Sequence, residues 1–170
     1  DTSEVVSWIK GEEGTEVKLS VYRGEDREEH TLTAVREKIQ SQTVEHEMKE
    51  DKIGYISVQG FEDVTYEQFK SALEDLEAQG MEGLVIDLRN NPGGNLDTVV
   101  EMLKLILPEG RIVSIKDKYG NEETYDCDGK HGFQKPLAVL VNGYSASASE
   151  IFAGAVKDYG IGTLVGTTTY

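Results

Sequence analysis

At 170 residues, with 38% hydrophobic residues and 18 glycines, the chain is long enough for one full α/β domain, or for one domain and part of a second. Its net charge of −15 argues against nucleic acid or an anionic membrane surface as a partner, and no apolar run approaches the roughly 18 residues of a membrane span. A single cysteine, Cys127, excludes an intramolecular disulfide and a multi-cysteine metal site.

The opening Asp1-Thr-Ser-Glu4 does not read as a signal peptide. Residues 2–11 predict a short helix: Thr2 or Ser3 caps it, Val5, Val6 and Ile9 form an apolar stripe, and Gly11 stops it. Residues 16–23 alternate strictly, with Val17, Leu19 and Val21 on one face, as a strand does. Gly24-Glu-Asp26 supplies a turn into a second alternating strand over residues 30–36. A helix and a hairpin are too little to bury a core alone. The order of helix, Lys10-Gly-Glu-Glu-Gly-Thr15, and a strand ending Val-Tyr-Arg23 resembles the closing third of a PDZ domain, whose helix forms one wall of a peptide groove. The opposing edge strand and carboxylate-binding loop are missing here, and an irregular αββ piece fits the pattern equally. Residues 1–38 are therefore assigned to the end of a PDZ-like module and residues 39–170 to the main core.

Residues 37–52 read as a polar linker running into an edge strand. Ile53-Gly-Tyr-Ile-Ser-Val58 is a firm strand, rich in β-branched and aromatic residues. After a loop over 61–65, Thr65 and Gln68 predict a capping box, with Phe69, Ala72, Leu73 and Leu76 at helical spacing and Gly80 as the stop. Residues 83–88 form a continuous apolar strand of the buried parallel type. Arg89-Asn-Asn-Pro-Gly-Gly94 breaks it, and residues 96–107 predict an amphipathic helix ended by Pro108. Residues 111–116 and 123–125 pair as a hairpin, and residues 126–135 form a loop carrying Cys127 and His131. A strand from Leu137 to Val141, a helix after the serines, and a last strand from Gly162 complete the chain. Strands alternate with helices from Ile53 onward, which predicts a mostly parallel sheet with right-handed crossovers. His30, His46 and His131 show no ligand spacing and are expected at the surface; neither metal nor cofactor is expected.

In such a sheet, functional groups collect at the carboxyl ends of the strands. Two ends stand out. Asp87-Leu-Arg-Asn-Asn-Pro-Gly-Gly94 places two glycines after a rigid proline turn, where bare N–H groups meet no Cβ. Taken by itself it reads first as a tight βα turn that needs glycine for positive φ. Asn142-Gly-Tyr-Ser-Ala-Ser-Ala-Ser-Glu150 puts three serines at a helix start, where a hydroxyl can cap the helix or act as a nucleophile beside free N–H groups. One loop offers donors and the other hydroxyls, the pairing that acyl transfer needs.

Leu84-Val-Ile-Asp-Leu-Arg-Asn-Asn-Pro-Gly-Gly94 and Val139-Leu-Val-Asn-Gly-Tyr-Ser-Ala-Ser-Ala-Ser-Glu-Ile151 resemble the two signature segments of the C-terminal processing (tail-specific) proteases, the S41 serine peptidases. Ile53-Gly-Tyr-Ile-Ser-Val-Gln-Gly-Phe61 resembles the strand that opens their catalytic core, and residues 154–170 follow the same pattern. The resemblance implies a crotonase/ClpP-like α/β core and a Ser/Lys protease. It makes Ser147 the nucleophile, gives the oxyanion hole to the backbone N–H groups of Gly93 and Ala148, and leaves Ser145 and Ser149 to shape the turn. Glu150 reads as a partner of the helix dipole and not as an acid catalyst. The family's lysine follows the Thr-Thr-Thr-Tyr170 segment within Gly-Lys-Gly, two residues past the last residue given, so the general base is not present in this chain. Lys157 is ten residues down the helix from Ser147, about 15 Å at 1.5 Å per residue, too far to substitute. These residues alone are therefore expected to hydrolyse nothing efficiently, and to be a segment of a longer protein. The resemblance further implies protein substrates with apolar C-termini, a location outside the cytoplasm, and any self-association through regions outside this chain. A non-catalytic peptide-binding module of the same fold is the competing class, and an acyl-CoA enzyme with similar oxyanion logic a third.

Overall fold

The computed structural model describes residues 2–24, 27–38 and 41–170. The side chains of Thr2 and Ser3 and the residues Glu25 and Asp26 lie outside the described part, and with them the predicted helix cap and the middle of the first turn. The chain divides into two compact units, Asp1–Gln40 and Ser41–Tyr170.

The first unit holds α1 (Thr2–Ile9), β1 (Glu16–Arg23) and β2 (Glu28–Val35). The strands pair antiparallel, with Glu16 opposite Val35 and Arg23 opposite Glu28. Val17, Leu19 and Val21 form the less exposed face of β1, as their alternation predicts. Arg36 ties the unit together through its guanidinium, which donates to Ile9 O at 2.8 Å, Glu16 O at 3.0 Å and the Thr15 hydroxyl at 2.8 Å. The predicted stripe on α1 does not form a core: Val5, Val6, Trp8 and Ile9 are all exposed.

The second unit is built on a five-stranded sheet of β3 (Val44–Met48), β4 (Ile53–Val58), β5 (Gly83–Asp87), β8 (Leu137–Val141) and β9 (Thr163–Gly166), in the order β3-β4-β5-β8-β9. Only the β3–β4 pair is antiparallel. Three helices cross between the parallel strands: α2 (Thr65–Ala78), α3 (Leu96–Lys104) and α4 (Ala148–Asp158). The strand order advances in one direction, so right-handed crossovers place all three helices on one face. On that face Ile56, Val58, Leu84, Ile86, Val139 and Val141 are buried with Leu76, Leu103 and Val156 of the helices. Phe69 of α2 meets Phe152 of α4 edge to face, ring centroids 6.4 Å apart, a geometry that adds about 0.5–1.5 kcal/mol to burial. Between α3 and β8 a separate hairpin pairs β6 (Gly110–Lys116) with β7 (Glu122–Cys127).

Three local expectations need correction. Thr65 and Gln68 do not form a capping box: Val64 precedes the helix, and no side chain caps it. The buried Thr65 hydroxyl instead meets the Thr43 hydroxyl at 2.7 Å, and Gln68 Oε1 accepts from the N–H groups of Thr43 and Val44 at 2.9 and 3.1 Å. Gln68 fixes the start of the edge strand by accepting its otherwise unpartnered backbone donors, and Thr65 adds a side-chain bond to Thr43. The helix α3 ends at Lys104, and Leu105 to Leu107 continue only as tight turns bonded to Met102 and Leu103. Cys127 is the last residue of β7 and not a loop residue; its buried Sγ lies 3.4 Å from Leu107 O.

Candidate active site

The loops that follow β5 and β8 at their carboxyl ends are stitched into one structure. Asn90 N–H donates to Asn142 Oδ1 at 3.0 Å, and Asn142 Nδ2 returns a bond to Asn90 Oδ1 at 2.9 Å. Two of the three serines belong to this stitching. The Ser145 hydroxyl donates to Leu88 O at 2.7 Å and accepts from Asn142 N–H at 3.0 Å. The Ser149 hydroxyl donates to Asn91 O at 2.9 Å, and Ala146 N–H reaches the same oxygen at 3.1 Å. Ser145 and Ser149 are wholly buried, whereas Ser147 between them is exposed.

Ser147 carries φ 54° and ψ −116°, a backbone conformation that a residue with a Cβ adopts only under strain, at a cost of about 1–3 kcal/mol. It is the sharp corner between β8 and α4, a strand-to-helix turn of the kind that can hold a hydroxyl out from the sheet. The corner is held by Glu150, whose Oε2 accepts Ser147 N–H at 2.9 Å while its Oε1 accepts the Thr169 hydroxyl at 2.8 Å. Tyr170 N–H also donates to Ser145 O at 3.0 Å, so the chain leaving β9 runs directly beside the serine loop. Ala148 is the first residue of α4, and its N–H has no hydrogen-bond partner among the described residues. A helix start leaves such donors free and adds the positive end of its dipole.

Gly93 and Gly94 have φ +104° and +145°, a region closed to side chains. A methyl group on Gly93 would fall 2.7 Å from Ala146 O, 2.8 Å from Ser147 Cβ and 3.0 Å from Ala148 N. The glycine backbone therefore lies against the serine corner, as the pairing of loops predicts. The two expected oxyanion donors are not equivalent, however. Ala148 N–H is free, but Gly93 N–H is donated to Asn91 Oδ1 at 2.9 Å.

At the carboxyl ends of β4, β5 and β8 opens a polar cleft of about 630 Å³ lined by Ser57, Gln59, Asp87, Arg89, Asn90 and Asn142. Asp87 keeps only 7% of its side chain exposed. Its carboxylate accepts from Arg89 Nη2 at 2.6 Å and from the Tyr55 hydroxyl at 2.6 Å. Burial pushes the Asp87 carboxyl up, but the hydrogen bonds from Arg89 and Tyr55 outweigh it and hold the group below the usual carboxylate range. Burial and the Asp87 carboxylate together raise the Tyr55 phenol.

Lys157 stands in the last turn of α4, at the opposite end from Ser147. His46 bonds Asp75 at 2.9 Å and His30 lies 3.8 Å from Glu28. Among the described residues no group of three His, Cys, Asp or Glu could hold a metal, and no helix is long and apolar enough to cross a membrane. The sequence pattern does not single out Asn91, the Tyr55–Asp87–Arg89 cluster or Thr169. Nothing in the motif separates Asn91 from Asn90, since either asparagine suits a turn before proline; only the buried position distinguishes them.

The sequence profile of peptidase family S41 matches residues 52–170. Over 98% of its length the chain is 35% identical to a carboxyl-terminal-processing protease of Synechocystis sp. and 38% identical to a probable CtpA-like serine protease of Staphylococcus aureus. It spans 40% and 34% of those two relatives. The solved structure of a photosystem II D1 C-terminal processing protease superposes with a TM-score of 0.69 at 31% identity, over 94% of this chain and 45% of that one.

Proposed function

The chain belongs to peptidase family S41, and from that premise we propose that the protein containing it is a serine endopeptidase of the C-terminal processing type. The observation that carries this reading is the strained, exposed Ser147 at the β8–α4 corner, flanked by a free Ala148 N–H and a glycine backbone. Ser147 Oγ attacks the scissile carbonyl carbon; its proton passes to a general base, and the carbonyl electron pair moves onto oxygen. The oxyanion is held by the N–H groups of Ala148 and Gly93. Collapse expels the amine, which takes the proton from the base, and water then releases the acyl group from Ser147.

The base is a lysine following Tyr170, with its pKa lowered by burial so that the neutral amine is populated. The bonds from Tyr170 to the Ser145 carbonyl and from Thr169 to Glu150 support this, because they direct the chain along the serine loop. Substrates are protein tails with apolar C-termini, presented by a PDZ-like module to which residues 1–38 contribute, and the protein works outside the cytoplasm. A binding module of the same fold would have no use for the strain at Ser147, which weighs against the non-catalytic reading.

The test compares peptide hydrolysis by the full-length protein, its Ser147→Ala variant, and residues 1–170 alone. The full-length protein is expected to cleave an unstructured peptide with an apolar C-terminus, the variant to lose that activity, and residues 1–170 to show none. Efficient cleavage by residues 1–170, abolished by Ser147→Ala, would overturn the lysine assignment.

A further inference from the structure

We infer that Asn91 is a positioning residue for acyl transfer, whose side-chain oxygen holds the Gly93 N–H and must exchange it with the developing oxyanion. This rests on the reading of Ser147 as the nucleophile. Asn91 is completely buried and is bonded to β4, to the glycine loop and to the serine loop. Its Nδ2 donates to Val58 O at the end of β4 at 2.9 Å, and its backbone oxygen accepts from Ala146 N–H and the Ser149 hydroxyl on either side of Ser147. Its Oδ1 accepts Gly93 N–H at 2.9 Å.

An N–H group can serve an oxyanion only to the extent that it is not given to another acceptor. A neutral amide oxygen is the weaker competitor, because a charged acceptor forms a bond roughly twice as strong. The exchange is therefore downhill only once charge develops on the substrate carbonyl, so the Gly93 donor contributes in the transition state and not to ground-state binding. The glycine pair supplies the means. Gly93 and Gly94 both occupy positive φ, with no Cβ to resist a rotation of the Pro92–Gly93 peptide. Asn91 anchors the frame around this peptide on three sides, so the rotation moves the donor without moving Ser147.

A merely structural Asn91 and a positioning Asn91 differ in which kinetic constant they set. Asn91→Asp keeps the shape and the acceptor but makes the acceptor charged, so it retains the Gly93 N–H against the oxyanion; it also gives up the donor to Val58 O, which lowers the melting midpoint and is read separately from kcat. In the full-length protein, kcat is expected to fall on the order of 10²-fold, the scale of one lost oxyanion donor, with KM within about twofold. An unchanged kcat in a folded Asn91→Asp protein overturns the inference, as does a loss carried wholly in KM.

A second measurement needs no variant at Asn91. A crystal structure of the full-length wild-type protein with a peptide boronate on Ser147 should show Gly93 N–H on the boronate oxygen and out of reach of Asn91 Oδ1. Retention of the Asn91–Gly93 bond in that adduct overturns the inference. Failure of the underlying reading is separately visible: in that case Ser147→Ala keeps its peptidase activity and the boronate does not attach to Ser147.

Discussion

Ser147 is held in a backbone conformation that opposes stability. Replacing it with glycine removes the strain of roughly 1–3 kcal/mol, less about 0.5–1 kcal/mol of extra chain entropy. Ser147→Gly is thus expected to raise the thermal midpoint of the full-length protein while abolishing peptide hydrolysis; a lowered midpoint contradicts the strain. Gly93→Ala acts in the opposite sense. Its methyl meets three atoms of the serine corner at 2.7–3.0 Å, so it is expected to destabilise by roughly 1–3 kcal/mol and to slow turnover on the order of 10²-fold. Denaturant titration and kcat read the two effects separately. At the scale of the residue, the pattern of the sequence shows which residues belong together, and the separate roles expected for Ser145, Ser147 and Ser149 come from the resemblance alone. Three serines alternating with alanine look interchangeable in a row of letters. Two become scaffold and one becomes exposed only because the Leu88 and Asn91 carbonyls lie across the gap, on a loop more than fifty residues away in the chain.

Elements bring those residues together, and most were legible because their periods are strong. The strand over Ile53–Val58 and the parallel run from Gly83 carry clear apolar patterns, and their pairing follows from the βαβ rhythm. Among the misread features are polar side chains that serve a partner distant in the chain. Thr65 and Gln68 have the spacing of a local cap, yet both reach the start of β3, a partner that local spacing cannot reveal. Gln68→Ala should therefore leave two backbone donors unpaired and cost roughly 1–3 kcal/mol. Amide exchange is expected to quicken across β3 while β4 and β5 stay protected; uniform quickening would mean that β3 is not held by this side chain. Ser145→Ala removes a buried hydroxyl that serves both Leu88 O and Asn142 N–H. It is expected to cost a similar roughly 1–3 kcal/mol.

For the whole molecule, the charge of −15 makes acid response a sensitive probe of which carboxylates are held by partners. Asp87 sits below its ordinary value of 3.8 because Arg89 and Tyr55 outweigh the effect of burial. Its contribution to stability is therefore present in full above that value and is lost as pH falls through the lowered one. Asp87→Asn should be less stable at neutral pH and lose less on acidification below about pH 4. Equal slopes in that window would mean that the carboxylate is not held. The sheet order and the single helical face carry these local devices to one end of the second unit, where the glycine and serine loops meet. The proposed role of Ser147 as nucleophile is tested by peptide mapping of the full-length protein after reaction with a fluorophosphonate. One adduct is expected, on Ser147, formed with loss of peptidase activity; an inhibited protein modified at another residue, or an active protein modified at Ser147, would overturn that role.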